Sequence, residues 1–342
     1  MHEKSFVKFL PKQIRRFLNS SKVDTNRIQE IRIRTEKPLM VLCDDGENIV
    51  RELTGSIYLV TEADLREMLE YISNYSLYAY EEEMRQGFVT IEGGHRIGLC
   101  GQTIIEDGKI KNLRHISSMN VRVAREVCGC ADGILPYLIK EEKLFHTLII
   151  SPPRCGKTTL LRDIIRQISD GNIYMKGINV GVVDERSEIG GCYKGVPQNH
   201  LGIRTDVLDG CPKAEGMLML IRSMAPQMIA VDEIGTMEDV LAVDYAMHCG
   251  CKMIATVHGK SLDEIREKPV LGNLIKEQRF ERYIVLGNQR GVGSVEGIYD
   301  ENGRSIIDCG YDELVGNSRS FKGQRAVGKY EVSTEDYLSY TK

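Results

Sequence analysis

Five short apolar runs constrain the fold of this chain: HTLIIS (146–151), INVGVVDE (178–185), QMIAVDE (227–233), KMIATVHG (252–259) and RYIVLG (282–287). Each is continuous rather than alternating, the pattern of strands covered on both faces. A polar or glycine-rich turn and a stretch of helical periodicity follow each run. This order predicts an α/β core built on a mainly parallel sheet with helical crossovers. Ligands of open α/β sheets bind beyond the carboxyl ends of the strands. Asp184, Glu185, Asp232, Glu233 and His258 end three of the runs, so they should gather along one edge.

The first run leads into SPPRCGKT (151–158), and Leu161, Ile164, Ile165 and Ile168 then recur at helical spacing until SDGN (169–172) supplies a stop. The string approximates the phosphate-binding pattern G-x-x-x-x-G-K-[ST], with Ser151 in place of the first glycine. Pro152 and Pro153 have no N–H, so the phosphate donors must come from Arg154, Cys155, Gly156, Lys157, Thr158 and Thr159. Serine reaches extended backbone readily, and only a positive φ would exclude it. Lys157 is placed to reach the β- and γ-phosphates of ATP and Thr158 to hold Mg²⁺. QMIAVDE supplies the partner half, with Asp232 for the Mg²⁺ shell and Glu233 to orient or deprotonate the attacking water. There is no N-K-x-D base-reading motif, which argues against a GTPase, and no obvious lid for a second small substrate.

The first ~125 residues read differently. Two strands around a DDG turn are expected in 27–50, and a helix in TEADLREMLEYISNY (61–75) whose Thr61 and Asp64 match a capping box. Short strands with glycine-rich turns follow in 87–125. The expected organisation is an α+β domain over 1–130, an ATPase domain over 131–310, and a polar tail or small subdomain over 311–342. A net charge of −4 gives no global bias toward nucleic acid. The ten cysteines include two C-x-C pairs, Cys128/Cys130 and Cys249/Cys251, but no C-x-x-C. Reduced thiols without a structural metal are therefore expected. MHEKSFVKFL has no secretory signal pattern and no run approaches ~20 apolar residues, so a cytoplasmic protein with at most a peripheral membrane role is expected.

GKTTLLRD (156–163), VVDERSEIGG (182–191), GMLMLIRSMAPQMIAVDEIG (216–235) and ATVHG (255–259), with EIRIRTEKPL beginning at Glu30, together resemble the stage III sporulation protein AA family, relatives of the type II and type IV secretion ATPases. The resemblance covers roughly residues 27 to 300 and implies a RecA-like ATPase assembling as a ring, expected to be hexameric. Nucleotide would lie between the two domains. The ring would energise a secretion-like channel of membrane-embedded partners from the mother-cell side of the forespore membrane. Carried over by position, Lys157 and Thr158 match the loop, Asp184, Glu185 and Glu188 lie in an acidic box, and Glu233 matches the Walker B glutamate. His258 matches the His box as a γ-phosphate sensor. Asp232 stands where secretion ATPases usually have glycine. Arg222, in LIRSMAP, is the first candidate for a cation acting in trans, followed by Arg204 and Arg186, while Arg122 and Arg125 could close over nucleotide.

Two other readings compete. RecA-like rings also move nucleic acid, and NLRHISSMNVRVAR (112–125) is basic but lacks interleaved aromatics, so no specific nucleic acid is expected. A nucleotide-binding scaffold without turnover is the other, and the presence of both Lys157 and Glu233 disfavours it.

Overall fold

The computed structural model describes residues 5–73, 84, 85, 87–289, 291 and 293–307. The described residues up to Ile306 belong to one compact unit. The tail expected over 311–342 lies outside the described residues.

The N-terminal part is a six-stranded antiparallel sheet in the order β3-β2-β1-β6-β5-β4. Its strands are β1 (Ile28–Arg34), β2 (Met40–Cys43), β3 (Gly46–Ile49), β4 (Phe88–Ile91), β5 (His95–Glu106) and β6 (Lys109–Arg122). Alternation along β1 buries Ile31 and Ile33 and leaves Arg32 and Arg34 half-exposed on the other face. The buried face forms a core with helices Lys12–Asn19 and Glu62–Ser73 through Ile14, Phe17, Leu65 and Met68. The Glu62–Ser73 helix opens with the expected capping box. Asp64 N–H donates to Thr61 Oγ1 at 3.2 Å, and Thr61 N–H donates to the Asp64 carboxylate at 2.8 Å.

Two small hairpins, β7 (Ile139–Lys140) with β8 (Lys143–Leu144) and β10 (Gly171–Asn172) with β11 (Met175–Lys176), flank the second sheet. That sheet has seven strands in the order β13-β12-β14-β15-β9-β16-β17. They are β9 (Thr147–Ser151), β12 (Val180–Asp184), β13 (Thr205–Asp209), β14 (Met228–Val231), β15 (Lys252–His258), β16 (Arg282–Gly287) and β17 (Ser294–Asp300). All neighbouring pairs are parallel except β16–β17. β9, β12 and β14 are buried at every position, as their continuous apolar runs require. Helices Lys213–Met224 and Met237–His248 cover one face through Met217, Leu220 and Val243. The Lys157–Asp170 helix buries Leu161, Ile164, Ile165 and Ile168 against the sheet and stops at Gly171, whose φ of 92° suits only glycine readily.

Two strands of this sheet escaped the sequence reading. β13 is a half-exposed edge strand with no apolar run, and β17 returns antiparallel, outside the strand-turn-helix repeat.

Candidate functional site

Parallel strands put every carboxyl end on one side of the sheet, and the loop after β9 sits there. Ser151 is the last residue of β9, fully buried and paired with His258 of β15. Its backbone is not among the positive-φ residues. The left-handed positions of the loop are Arg154, at φ 62°, and Gly156, at φ 79°. Ser151 thus occupies a position with no need of glycine, whereas Gly156 occupies one that favours it. A side chain at Gly156 would also press on Gly293 Cα, 3.3 Å from the ideal Cβ position.

Gly156 caps the Lys157–Asp170 helix without a side-chain hydrogen bond, and the first turn holds no acidic residue. Its leading N–H groups are thus left for an anion, reinforced by the helix dipole. By contrast, the Met237–His248 helix closes its N-terminus with a Thr236–Asp239 capping box. Of the other loop residues, Cys155 is buried with its Sγ 3.6 Å from the Pro153 carbonyl, and Thr159 is half-buried; Pro152 is half-buried and Pro153 exposed.

Lys157 is buried, and its Nζ donates to Glu233 Oε1 at 2.5 Å and lies 3.7 Å from Asp232 Oδ1. Thr158 Oγ1 donates to Asp232 Oδ2 at 2.7 Å. His258 Nε2 is 2.9 Å from Glu233 Oε1, and Arg186 Nη1 donates to Glu233 Oε2 at 3.0 Å. Burial pulls the Glu233 carboxyl up, but Lys157, His258 and Arg186 overcome it and hold the carboxyl below its usual range. The glutamate is therefore ionised at neutral pH.

One further residue builds this cluster, and the sequence reading passed over it. Thr256 of β15 is fully buried, and its hydroxyl donates to Asp232 Oδ1 while accepting Glu233 N–H at 2.9 Å. Its carbonyl accepts Ile234 N–H at 2.9 Å. Glu233 sits at φ 57°, a left-handed conformation that costs a non-glycine residue about 1–3 kcal/mol. Thr256 pins the residues on either side of that kink to the neighbouring strand. A hydroxyl inside an otherwise apolar parallel strand was the available signal.

The acidic box separates by role. Asp184 is buried and accepts N–H from Glu188 (2.9 Å), Ile189 (2.9 Å) and Gly190 (2.7 Å), so it folds the loop after β12. Burial pushes its carboxyl up to about 6, against the pull of those three amides and with the Asp209 carboxylate adding to the rise. Glu185 pairs with Lys213, and Glu188 pairs with Arg96 of the N-terminal sheet at 3.0 Å. Among the described residues, Arg186 is the arginine named from sequence that meets the Lys157–Glu233 cluster. Arg204 donates to Ser169 O at 3.0 Å, and Arg125 to Asp44 at 2.9 Å and Arg27 O at 2.7 Å. Arg122 lies 3.7 Å from Glu30. Arg222 is exposed on the last turn of its helix, and among the described residues it makes no hydrogen bond or ion pair.

A family model described as "Sporulation stage III, protein AA" matches residues 1–306. Stage III sporulation protein AA of Bacillus subtilis (strain 168) is 47% identical over 279 residues, covering 82% of this chain and 89% of that protein. Protein SEEDLING PLASTID DEVELOPMENT 1 of Arabidopsis thaliana is 29% identical over 273 residues, 79% of this chain but 36% of its own length. Among solved structures, the Legionella pneumophila ATPase DotB superposes with a TM-score of 0.52 at 16% identity, over 82% of this chain and 77% of its own. The pilus retraction motor PilT with bound ADP gives 0.51 at 16% identity, over 80% and 76%. These likenesses show the fold: an α/β core on a mostly parallel sheet, as in DotB and PilT, preceded by an antiparallel sheet.

Proposed function

From the premise that the chain belongs to the sporulation stage III protein AA family, we propose that it is an ATP-hydrolysing ring motor, hexameric in its working form, that energises a secretion-like channel during sporulation. The observation that carries this reading is the cluster Lys157–Glu233–His258 with the Thr158–Asp232 pair beside it, at the uncapped start of the Lys157–Asp170 helix. The likeness in fold to DotB and to the ADP-bound motor PilT supports it.

The donor set fits both groups that the reading needs. A buried ammonium beside free helix N–H groups suits the phosphates of ATP. A threonine hydroxyl 2.7 Å from a carboxylate supplies hard oxygen ligands of the kind Mg²⁺ takes. Thr158 and Asp232 would hold that ion, which supplies charge neutralisation on the phosphate oxygens when bound. In this mechanism Lys157 moves from Glu233 to phosphate oxygen, which leaves Glu233 Oε1 to His258 alone. Glu233, ionised and fixed at its kink by Thr256, then accepts a proton from the attacking water or orients it. His258, 2.9 Å from the same oxygen, reports whether Oε1 is occupied. A further cation comes from a neighbouring subunit. Arg222 is exposed and unengaged among the described residues, which fits such a donor.

No helix among the described residues is long and apolar enough to cross a membrane. In this reading, attachment to the mother-cell face of the forespore membrane is through membrane-embedded channel partners. The test is ATP turnover across protein concentration, with Glu233→Gln as the control. Turnover that rises more steeply than linearly and vanishes in the variant is expected. Linear turnover, or turnover that survives Glu233→Gln, would refute the ring mechanism.

A further inference from the structure

We propose that Arg96 is a positioning residue through which the N-terminal sheet holds Glu233 in a resting arrangement. The inference rests on the ATPase reading above. It starts from a three-residue stretch, Arg186–Glu188, whose two ends touch different parts of the molecule. Arg186 Nη1 donates to Glu233 Oε2 at 3.0 Å, and Glu188 Oε1 accepts from Arg96 Nη1 at 3.0 Å. Arg96 lies on β5, paired with Thr90 of β4 and Arg122 of β6. It belongs to the N-terminal sheet.

The stretch between the two ends is stiff. Glu188 N–H is held by Asp184 Oδ1 at 2.9 Å, and its carbonyl accepts from Arg162 Nη2 at 3.4 Å. Ser187, at φ 52°, is fixed by its hydroxyl to Asp209 at 2.5 Å. A displacement of Glu188 cannot be absorbed inside so short and so bonded a segment, and passes to Arg186.

The Arg96 end is built to hold. Its guanidinium stacks over the Phe88 ring at 3.4 Å, and its side chain is 23% exposed. Burial works against its charge and outweighs the pull of Glu188, so the guanidinium is costly to hold and depends on both the Phe88 ring and the carboxylate. The Arg186 end is weak by comparison. Its side chain is 63% exposed, and its ion pair among the described residues is with Glu233. Backbone placement by the loop therefore decides whether Arg186 stays on Oε2.

The consequence lies in the two oxygens of Glu233. Oε1 is occupied by Lys157 and His258, Oε2 by Arg186. Nucleotide can draw Lys157 away from Oε1, and a second event must draw Arg186 away from Oε2. A shift of the N-terminal sheet does so through Arg96 and Glu188. The pair is a latch that keeps hydrolysis low until the sheet moves.

The experiment is a charge-reversal cycle in the full chain: Arg96→Ala, Arg96→Glu, Glu188→Arg and the double Arg96→Glu/Glu188→Arg. Two readouts are taken, steady-state ATP turnover and hydrogen exchange of the amides at 186–190. Each single variant is expected to raise kcat about fivefold with KM for ATP little changed, the scale of one partly buried ion pair, and to speed exchange at Glu188, Ile189 and Gly190. The double reversal is expected to return both towards wild type, which a merely damaged fold would not do. Unchanged exchange in all single variants overturns the latch whether or not the protein turns over ATP. Faster exchange with unchanged or lower kcat also overturns it. Wild-type turnover that ignores Glu233→Gln overturns the ATPase reading instead, so the two failures are separable.

Discussion

Replacing Thr256 with valine removes one hydroxyl and almost no volume, and the structure predicts a large cost. Thr256 is fully buried, so water has no ready access to the place the hydroxyl leaves. Glu233 N–H loses its acceptor, and a buried unsatisfied amide costs about 1–3 kcal/mol. Asp232 Oδ1 loses a donor next to Lys157, and Glu233 no longer has an anchor for a conformation that itself costs about 1–3 kcal/mol. Part of that strain relaxes, so the net loss expected is ~2–4 kcal/mol, or a fall in Tm of roughly 3–6 °C by calorimetry. Thr256→Ser keeps both hydrogen bonds and gives up one methyl group, worth ~1 kcal/mol. ATP turnover should drop at least about tenfold in the valine variant, because both carboxylates lose their aim, and should largely survive in the serine variant. Equal stability and equal turnover of the two variants would refute the argument, since it rests entirely on the hydroxyl.

Three other outcomes follow from the geometry. Gly156→Ala forces a side chain into φ 79° and against Gly293, so it should cost at least ~1–2 kcal/mol in a urea titration and weaken ATP binding in a fluorescent-nucleotide assay. Ser151→Gly should leave nucleotide affinity within about twofold in the same assay, because Ser151 needs no positive φ. Asp184 has a folded-state pKa of about 6 against an ordinary 3.8, so the folded protein holds this proton more tightly than the unfolded chain. Its contribution is therefore fully present below pH ~4 and lost as pH rises through ~6, a swing of about 3 kcal/mol. Asp184→Asn should flatten the fall in stability between those values in urea titrations run at several pH values.

Where the sequence was legible, it was because a single physical demand wrote the pattern. Two-sided burial produced the apolar runs of β9, β12, β14, β15 and β16, and all five strands lie where the runs are. The α+β character of the first part was read from turn residues and from the Thr61–Asp64 cap, which forms. Of the site, Lys157, Thr158, Asp232, Glu233 and His258 were named from position alone and do converge. Charge gave less guidance. Asp184 and Glu185 are adjacent, yet one is buried under backbone amides and the other pairs with Lys213. Arg96 was not singled out, because its partner is 92 residues away and no local spacing marks such a pair. β13 was missed because an edge strand with half-exposed polar positions has little apolar signature.

The contact between Lys157 and Glu233 changes what binding means at this loop. The lysine already holds an anion of its own chain, at 2.5 Å. An incoming phosphate therefore makes an exchange of one anion for another rather than an addition. Much of the lysine's desolvation has been met during folding, so affinity is set by the difference between two oxyanions competing for a single ammonium. In the proposed mechanism, the carboxylate that loses the competition is the same one that water must then find.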